Sequence, residues 1–214
     1  MEENIKQAIE QALSEAPERK FVESVELAFT INAVDLKNPN HRIQEEIRLP
    51  AGRGRAPSIA MFADGEMAAK ARDAGIVVID PTKIEELGGT RQKARNLAKK
   101  HDFFLSEIPH MGPIGRFLGV VLGPRGKLPR PVPPVADPGA IAAGLKDVAI
   151  VRSRDKITFH TVVGTRDQGA EALTENGMEV WKRVTGRLER GSGNIRSFYV
   201  KTSMGPAIRV EVIL

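Results

Sequence analysis

The stretch IAMFADGEMAAKARDAGIVVIDP, Ile59 to Pro81, decides how the chain folds. Ile59-Ala60-Met61-Phe62 is a short unbroken apolar run, the pattern of a buried strand. Gly65 to Ala74 reads as a helix ended by Gly75, and Ile76-Val77-Val78-Ile79 is a second buried strand closed by Asp80-Pro81. Further on, Pro81 to Leu87 and Thr90 to Lys100 are helical, with Gly88-Gly89 between them and Thr90 as a cap. Phe103-Phe104-Leu105 is a third buried strand, and a helix over Pro138 to Lys146 follows the rigid proline-rich stretch LPRPVPPVADPG. Strand and helix in alternation imply βαβ units, hence a parallel sheet with helices on both faces.

The two ends of the chain have a different rhythm. A helix from Glu3 to Glu15 places Ile5, Ile9 and Leu13 on one face. Phe21 to Ile31 and Arg42 to Leu49 read as strands, the second alternating Ile43, Glu45, Ile47 and Leu49. Late in the chain come a strand at Ile157 to Val163, a helix from Gln168 to Leu188, and strands at Ile195 to Ser203 and Ile208 to Leu214. In the last of these Ile208, Val210, Val212 and Leu214 share a face. Neither end alone supplies a stable sheet, so the two are expected to fold together. The expectation is an α/β protein of two domains. Residues 1–57 and 153–214 form a discontinuous α+β split-sheet domain; residues 58–152 form an inserted Rossmann-like three-layer α/β domain. Arg53 to Pro57 and Arg152 to Asp155 would be the two hinge strands.

Composition narrows the function. The 214 residues can bury a real core, and a net charge of +5 favours a polyanionic partner. Without cysteine there is no disulfide framework and no thiolate metal site, as suits a reducing interior. The acidic, amphipathic start MEENIKQAIEQALSEA is not a signal peptide, and no apolar run is long enough to span a bilayer. A cytoplasmic protein with no membrane partner is expected. The charge is unevenly spread: residues 58–152 carry 14 Lys and Arg against 10 Asp and Glu, the flanking segments 18 against 17.

No motif carries catalysis. GPRGK, Gly123 to Lys127, is not a nucleotide-binding loop: Val121 stands where a glycine is needed and Leu128 where a magnesium-ligating hydroxyl belongs. The glycines from Gly112 to Gly126, with Arg116, Arg125, Lys127 and Arg130, would make a flexible basic loop, able to touch phosphate or simply solvated. His41, His101, His110 and His160 are scattered, without zinc-ligand spacing, so no metal and no cofactor are expected. One Trp, one Tyr and eight Phe cannot make an aromatic stacking platform for RNA. Thr202-Ser203-Met204-Gly205-Pro206 joins two hydroxyls, a thioether, a glycine and a proline between apolar stretches. On local chemistry it is either a β-turn between terminal strands or a surface for RNA sugars and phosphates. The rival from another class is a small Rossmann-like enzyme or binding module for a phosphorylated ligand, seated at the strand ends of the inserted domain.

Six segments occur in an informative order: KFVESVELAFTIN, LPAGRGR, DFFLSE, GRFLGVVLGPRGKLPRP, RSRDK and YVKTSMGPAIRV. Together, from Lys20 to Val210, they closely resemble the family of large-subunit ribosomal protein one, the protein of the mobile stalk beside the tRNA exit site. VDLKNPNHRI and the direct run into GRGR look like the archaeal branch. The chain departs from the family mainly at Ser203, where bacterial members commonly carry Thr, and at Lys201. The resemblance implies no enzyme, but a structural constituent of the large ribosomal subunit that binds stalk ribosomal RNA and assists release of deacylated tRNA. It also implies repression of the protein's own messenger RNA, and a monomer off the ribosome.

By positional match the resemblance places Lys20, Phe21, Ser24 and Glu26 from the early strand at the RNA, with Ser197, Thr202, Ser203, Met204 and Gly205 from the late ones. Arg116, Arg125 and Lys127 would make secondary, salt-sensitive contacts.

Overall fold

A computed structural model describes residues 1–212, the side chain of Asn40 excepted; the expected place of Leu214 on the last strand lies outside the described residues. In chain order the strands are β1 (Ser24–Ile31), β2 (Gln44–Arg48), β3 (Ile59–Phe62), β4 (Val77–Ile79) and β5 (Phe103–Glu107). They continue with β6 (Arg130–Val132), β7 (Val148–Arg152), β8 (Thr158–Thr165), β9 (Ile195–Thr202) and β10 (Ala207–Val210). The helices are α1 (Glu2–Glu15), α2 (Gly65–Asp73), α3 (Ile84–Gly89) and α4 (Arg91–Lys100). After them come α5 (Met111–Phe117), α6 (Gly119–Leu122), α7 (Pro138–Leu145) and α8 (Gly169–Gly186). The chain divides into two compact units, Met1–Arg55 with Asp147–Leu214, and Ala56–Lys146.

The first unit is built on an antiparallel sheet in the order β10-β9-β1-β8. Alternation along β1 sends Val25, Leu27, Phe29 and Ile31 to one face, and β9 adds Phe198 and Val200. Ile5 and Ile9 of α1 and Leu173, Val180, Trp181 and Val184 of α8 bury themselves against that face. Phe29 is the hub: its ring stacks on Phe198 at 4.5 Å and Phe159 at 5.4 Å, with Trp181 at 6.3 Å. Three of the eight phenylalanines and the single tryptophan are therefore spent on this core.

One domain boundary differs from expectation. Val148–Arg152, assigned by sequence to residues 58–152, is β7, and it pairs antiparallel with β2 from Gln44↔Arg152 to Arg48↔Val148. Ala149 and Val151 join the core of the first unit through this pairing. The expected second hinge is also fixed there: Ser153 is buried, and its hydroxyl accepts from Ile43 N–H at 3.0 Å.

The second unit holds a parallel sheet in the order β4-β3-β5-β6. Ala60, Phe62 and Phe104 face α3 to α6, packing on Ile84, Ala94, Ala98, Ile114 and Leu122. Their alternates Met61 and Leu105 are buried on the opposite face, and α2 and α7 contact each other. This is the three-layer α/β arrangement that the Ile59–Pro81 pattern implies. Two local features differ. The proline-rich stretch contains the edge strand β6, where Pro131 is tolerated because an edge leaves one side unpaired. Most of the expected flexible loop from Gly112 to Gly126 is helical, in α5 and α6, leaving only the turn after Leu122.

Candidate nucleic-acid interface

The face of the four-stranded sheet opposite α1 and α8 is partly open. Cross-strand register lays it out in rows: Lys201, Glu26 and Val162 in one, and Arg209, Tyr199, Ala28 and His160 in the next. Ser197, Thr30 and Thr158 form a third. All are exposed or half-buried, so hydroxyls, two cations, a carboxylate and one tyrosine ring face the same way. Sequence reasoning found Glu26 and Ser197 but not Tyr199, Arg209 or His160. The signal was the period-2 alternation of β8 to β10, which puts each on the side away from Phe198 and Val200.

At one end of this face two chain segments run together. Ser203 N–H donates to the Ser24 carbonyl at 3.0 Å, and the Ser203 hydroxyl accepts from Ser24 N–H at 3.2 Å. Met204 N–H donates to Glu23 Oε1 at 2.8 Å. These bonds hold Ser203–Gly205 against the chain that enters β1, which carries Lys20 and Phe21. Phe21 and Met204 remain 55% and 62% exposed. Val22, between Phe21 and Glu23, is 55% exposed as well, so this segment and the turn leave three apolar side chains outside the core.

Ser24, Glu26, Ser203 and Gly205 are half-buried at or beside this end, and Lys20, Phe21 and Met204 are exposed; Ser197, also half-buried, is not brought to it but lies in the third row opposite Thr30, toward the other end of the face. Thr202 is different. It is the last residue of β9, shares the parity of Phe198 and Val200, and is 0% exposed, with its hydroxyl pointing into the unit. It cannot present that hydroxyl to a ligand. Its visible role is from beneath: a Cβ on Gly205 would overlap Thr202 Oγ1 and crowd Ala16 Cβ at 3.2 Å, so only glycine lets the turn lie this close.

Among the secondary positions, Arg116 and Arg125 are exposed, and Arg125 also donates to the Val121 carbonyl at the end of α6. Lys127 is a correction. Its ammonium donates to the carbonyls of Ala98 and His101 at 2.9 and 2.7 Å, capping the C-terminus of α4 instead of standing free for phosphate. Beneath it, His101 is buried against Ser58 Oγ at 2.9 Å; burial, with the Lys100 and Lys127 cations, holds its imidazole below the usual histidine range.

The rival reading needs a phosphate loop between a strand and a helix. Gly123–Lys127 instead follows the end of a helix, α6. Asp64 and His110, past the ends of β3 and β5, and Glu107, the last residue of β5, bring their ligating atoms within 4.8 Å of one another. Their own contacts account for this: Glu107 Oε1 accepts from Asp64 N–H at 3.2 Å, and the exposed Asp64 carboxylate lies 3.6 Å from His110 Nε2. Among the described residues no helix is long and apolar enough to cross a membrane.

A discontinuous unit around a four-stranded sheet, with a three-layer α/β unit between its halves, is the organisation that the motifs imply. Comparison with known proteins gives the class directly: the ribosomal protein L1p/L10e family matches residues 3–206, and the chain belongs to that family. It is similar to the large ribosomal subunit protein uL1 of Methanothrix thermoacetophila, 47% identical over 98% of this chain and 100% of that one. The proteins of that name from Thermoplasma acidophilum and Archaeoglobus fulgidus are 44% and 45% identical; the matches cover 97% and 95% of this chain and 96% and 95% of theirs. The family is one of structural ribosomal proteins, and the chain is a protein of the large ribosomal subunit.

Proposed function

We propose that this protein binds the large-subunit ribosomal RNA of the exit-site stalk, in the cytoplasm, through the end of the sheet where Lys20–Glu26 meets Ser203–Gly205. The observation that carries this reading is a pair of exposed apolar side chains, Phe21 in the segment that enters β1 and Met204 in the turn whose main chain is pinned to that segment. Such a patch excludes water around hydrogen bonds to phosphates and 2′-hydroxyls while offering no general acid or base. Lys20, Phe21, Ser24, Glu26, Ser203, Met204 and Gly205 make the contacts at this end, Ser197 makes one farther along the same face, and Thr202 supports the turn from below. Arg116 and Arg125 of the second unit add salt-sensitive phosphate contacts.

On the ribosome the bound stalk assists departure of deacylated tRNA. Off it, the monomer recognises a similar RNA shape in its own message and represses translation, since a surface that reads backbone shape accepts any RNA presenting that shape. Gel-shift titrations with a stalk ribosomal RNA fragment, the 5′ region of the protein's own message and an unrelated hairpin test this. Tight binding of the first two and weak binding of the third is expected; equal binding of all three would reduce the interface to unspecific charge.

A further inference from the structure

Glu23 stands immediately before β1 and is 1% exposed, beneath a surface otherwise made of hydroxyls and open apolar side chains. A buried carboxylate is costly unless donors hold it. One oxygen accepts from Met204 N–H at 2.8 Å. The other makes no hydrogen bond and faces the Arg166 guanidinium at 3.7 Å. The Glu23 carbonyl in turn accepts from Arg166 N–H at 2.9 Å. The same guanidinium donates, at 3.3 Å each, to the carbonyls of Leu13, Ala16 and Pro17, at and just beyond the end of α1. Helix-end carbonyls lack intrahelical partners, so this is a natural place for a cation. One carboxylate–guanidinium pair thus ties together the end of α1, the entry to β1, the residue after β8, and the turn that carries Met204.

We propose that Glu23, backed by Arg166, is the positioning residue of the RNA interface: it aims Met204 and Gly205 without touching RNA. The inference rests on the reading of this face given above. Its physical basis is that Met204, largely exposed and flexible, has little packing to fix its direction; the main chain must do so. A charge-assisted bond from a buried carboxylate to Met204 N–H is a strong way to hold that main chain. Ser203 anchors the turn to Ser24, and Glu23 anchors the next residue, so the two bonds together set both position and angle.

The test compares full-length Glu23→Ala and Glu23→Gln with the unchanged protein, first without RNA and then with it. In the free protein, hydrogen exchange at Met204 N–H should be protected, lose that protection in Glu23→Ala, and keep most of it in Glu23→Gln, which retains an acceptor. Affinity for the stalk RNA fragment should fall about tenfold in Glu23→Ala and recover to within about threefold in Glu23→Gln. The salt dependence should be unchanged in both, because no phosphate contact is removed. A folded Glu23→Ala protein that binds normally overturns the proposal, and so does a loss accompanied by a shallower salt slope, which would make Glu23 a contact. Should Glu23→Ala not fold, Glu23→Gln decides: lost Met204 protection with normal RNA affinity overturns it. Should the unchanged protein not bind the RNA, the functional reading falls, while the exchange measurement still reports whether Glu23 holds the turn.

Discussion

Met204 and Arg116 separate two physical pictures of RNA binding at the level of single side chains. Met204→Asp puts a hydrated anion where RNA backbone is to pack, with the fold untouched because the side chain is in solvent. The expected loss is at least about 2 kcal/mol of RNA-binding free energy, the scale of a hot-spot contact. Arg116→Ala should cost less and lower the salt slope by about one ion. Filter binding of both at two salt concentrations orders them, and a counterion-release picture gives the opposite order. His101 supplies a prediction about stability. Its imidazole is held below the ordinary value of about 6.5, so the unfolded chain binds the proton more readily than the folded one. The contribution is therefore complete above about pH 6.5 and is lost as pH falls through the folded value. Thermal melts from about pH 7 to about pH 5 should show that loss, and His101→Gln should flatten it. Equal slopes in the two proteins would exclude His101 as its source.

At the level of elements, α8 shows how one buried polar side chain holds the chain that follows β2. Asn176 is fully buried; it accepts from Ala51 N–H at 2.9 Å and donates to the carbonyls of Gly52 and Val163, both at 2.8 Å. Asn176→Leu strands these main-chain groups away from water and should cost about 1–3 kcal/mol, read as a lowered denaturant midpoint with unchanged slope. A midpoint within error of the unchanged protein would mean the segment relaxes to water instead. Such anchors also mark what the sequence could and could not reveal. Ile59–Phe62 and the helix after it were legible because a continuous apolar run and a glycine stop are local signals. So was the heptad-like spacing of Ile5 and Ile9 in α1. β7 was not, because only the two turn residues Lys146 and Asp147 separate VAIVR from a helix and its partner β2 lies about a hundred residues away, where no local pattern records the pairing. Thr202 stands in the site by positional match with the family alone, whereas strand parity already puts it on the side of Phe198 and Val200. No local pattern marks Lys127 as a helix cap, because that use of a cation depends on tertiary neighbours.

For the whole molecule, the question is which unit carries the RNA affinity, since bulk charge and the interface geometry disagree. Residues 58–152 hold most of the positive excess, yet the exposed Phe21–Met204 patch belongs to the first unit. The core cluster around Phe29 is drawn entirely from residues 1–55 and 147–214, and Leu49 N–H donates to the Asp147 carbonyl at 2.8 Å, so the two crossing points are already close. Replacing residues 56–146 by a short glycine-rich linker from Arg55 to Asp147 should therefore leave a cooperatively folded first unit. Joining Arg55 to Lys156 instead would delete β7, unpair β2 and withdraw Ala149 and Val151 from the core, so that chain should be markedly less stable. The shorter protein that keeps β7 should bind the stalk RNA fragment within about tenfold of the full chain, with a shallower salt dependence because the Arg116 and Arg125 contacts are gone. If it folds, shown by a sharp denaturant transition and the near-ultraviolet signal of Trp181, yet binds no RNA, then the principal site lies among residues 56–146 and charge, not the Met204 turn, directs recognition.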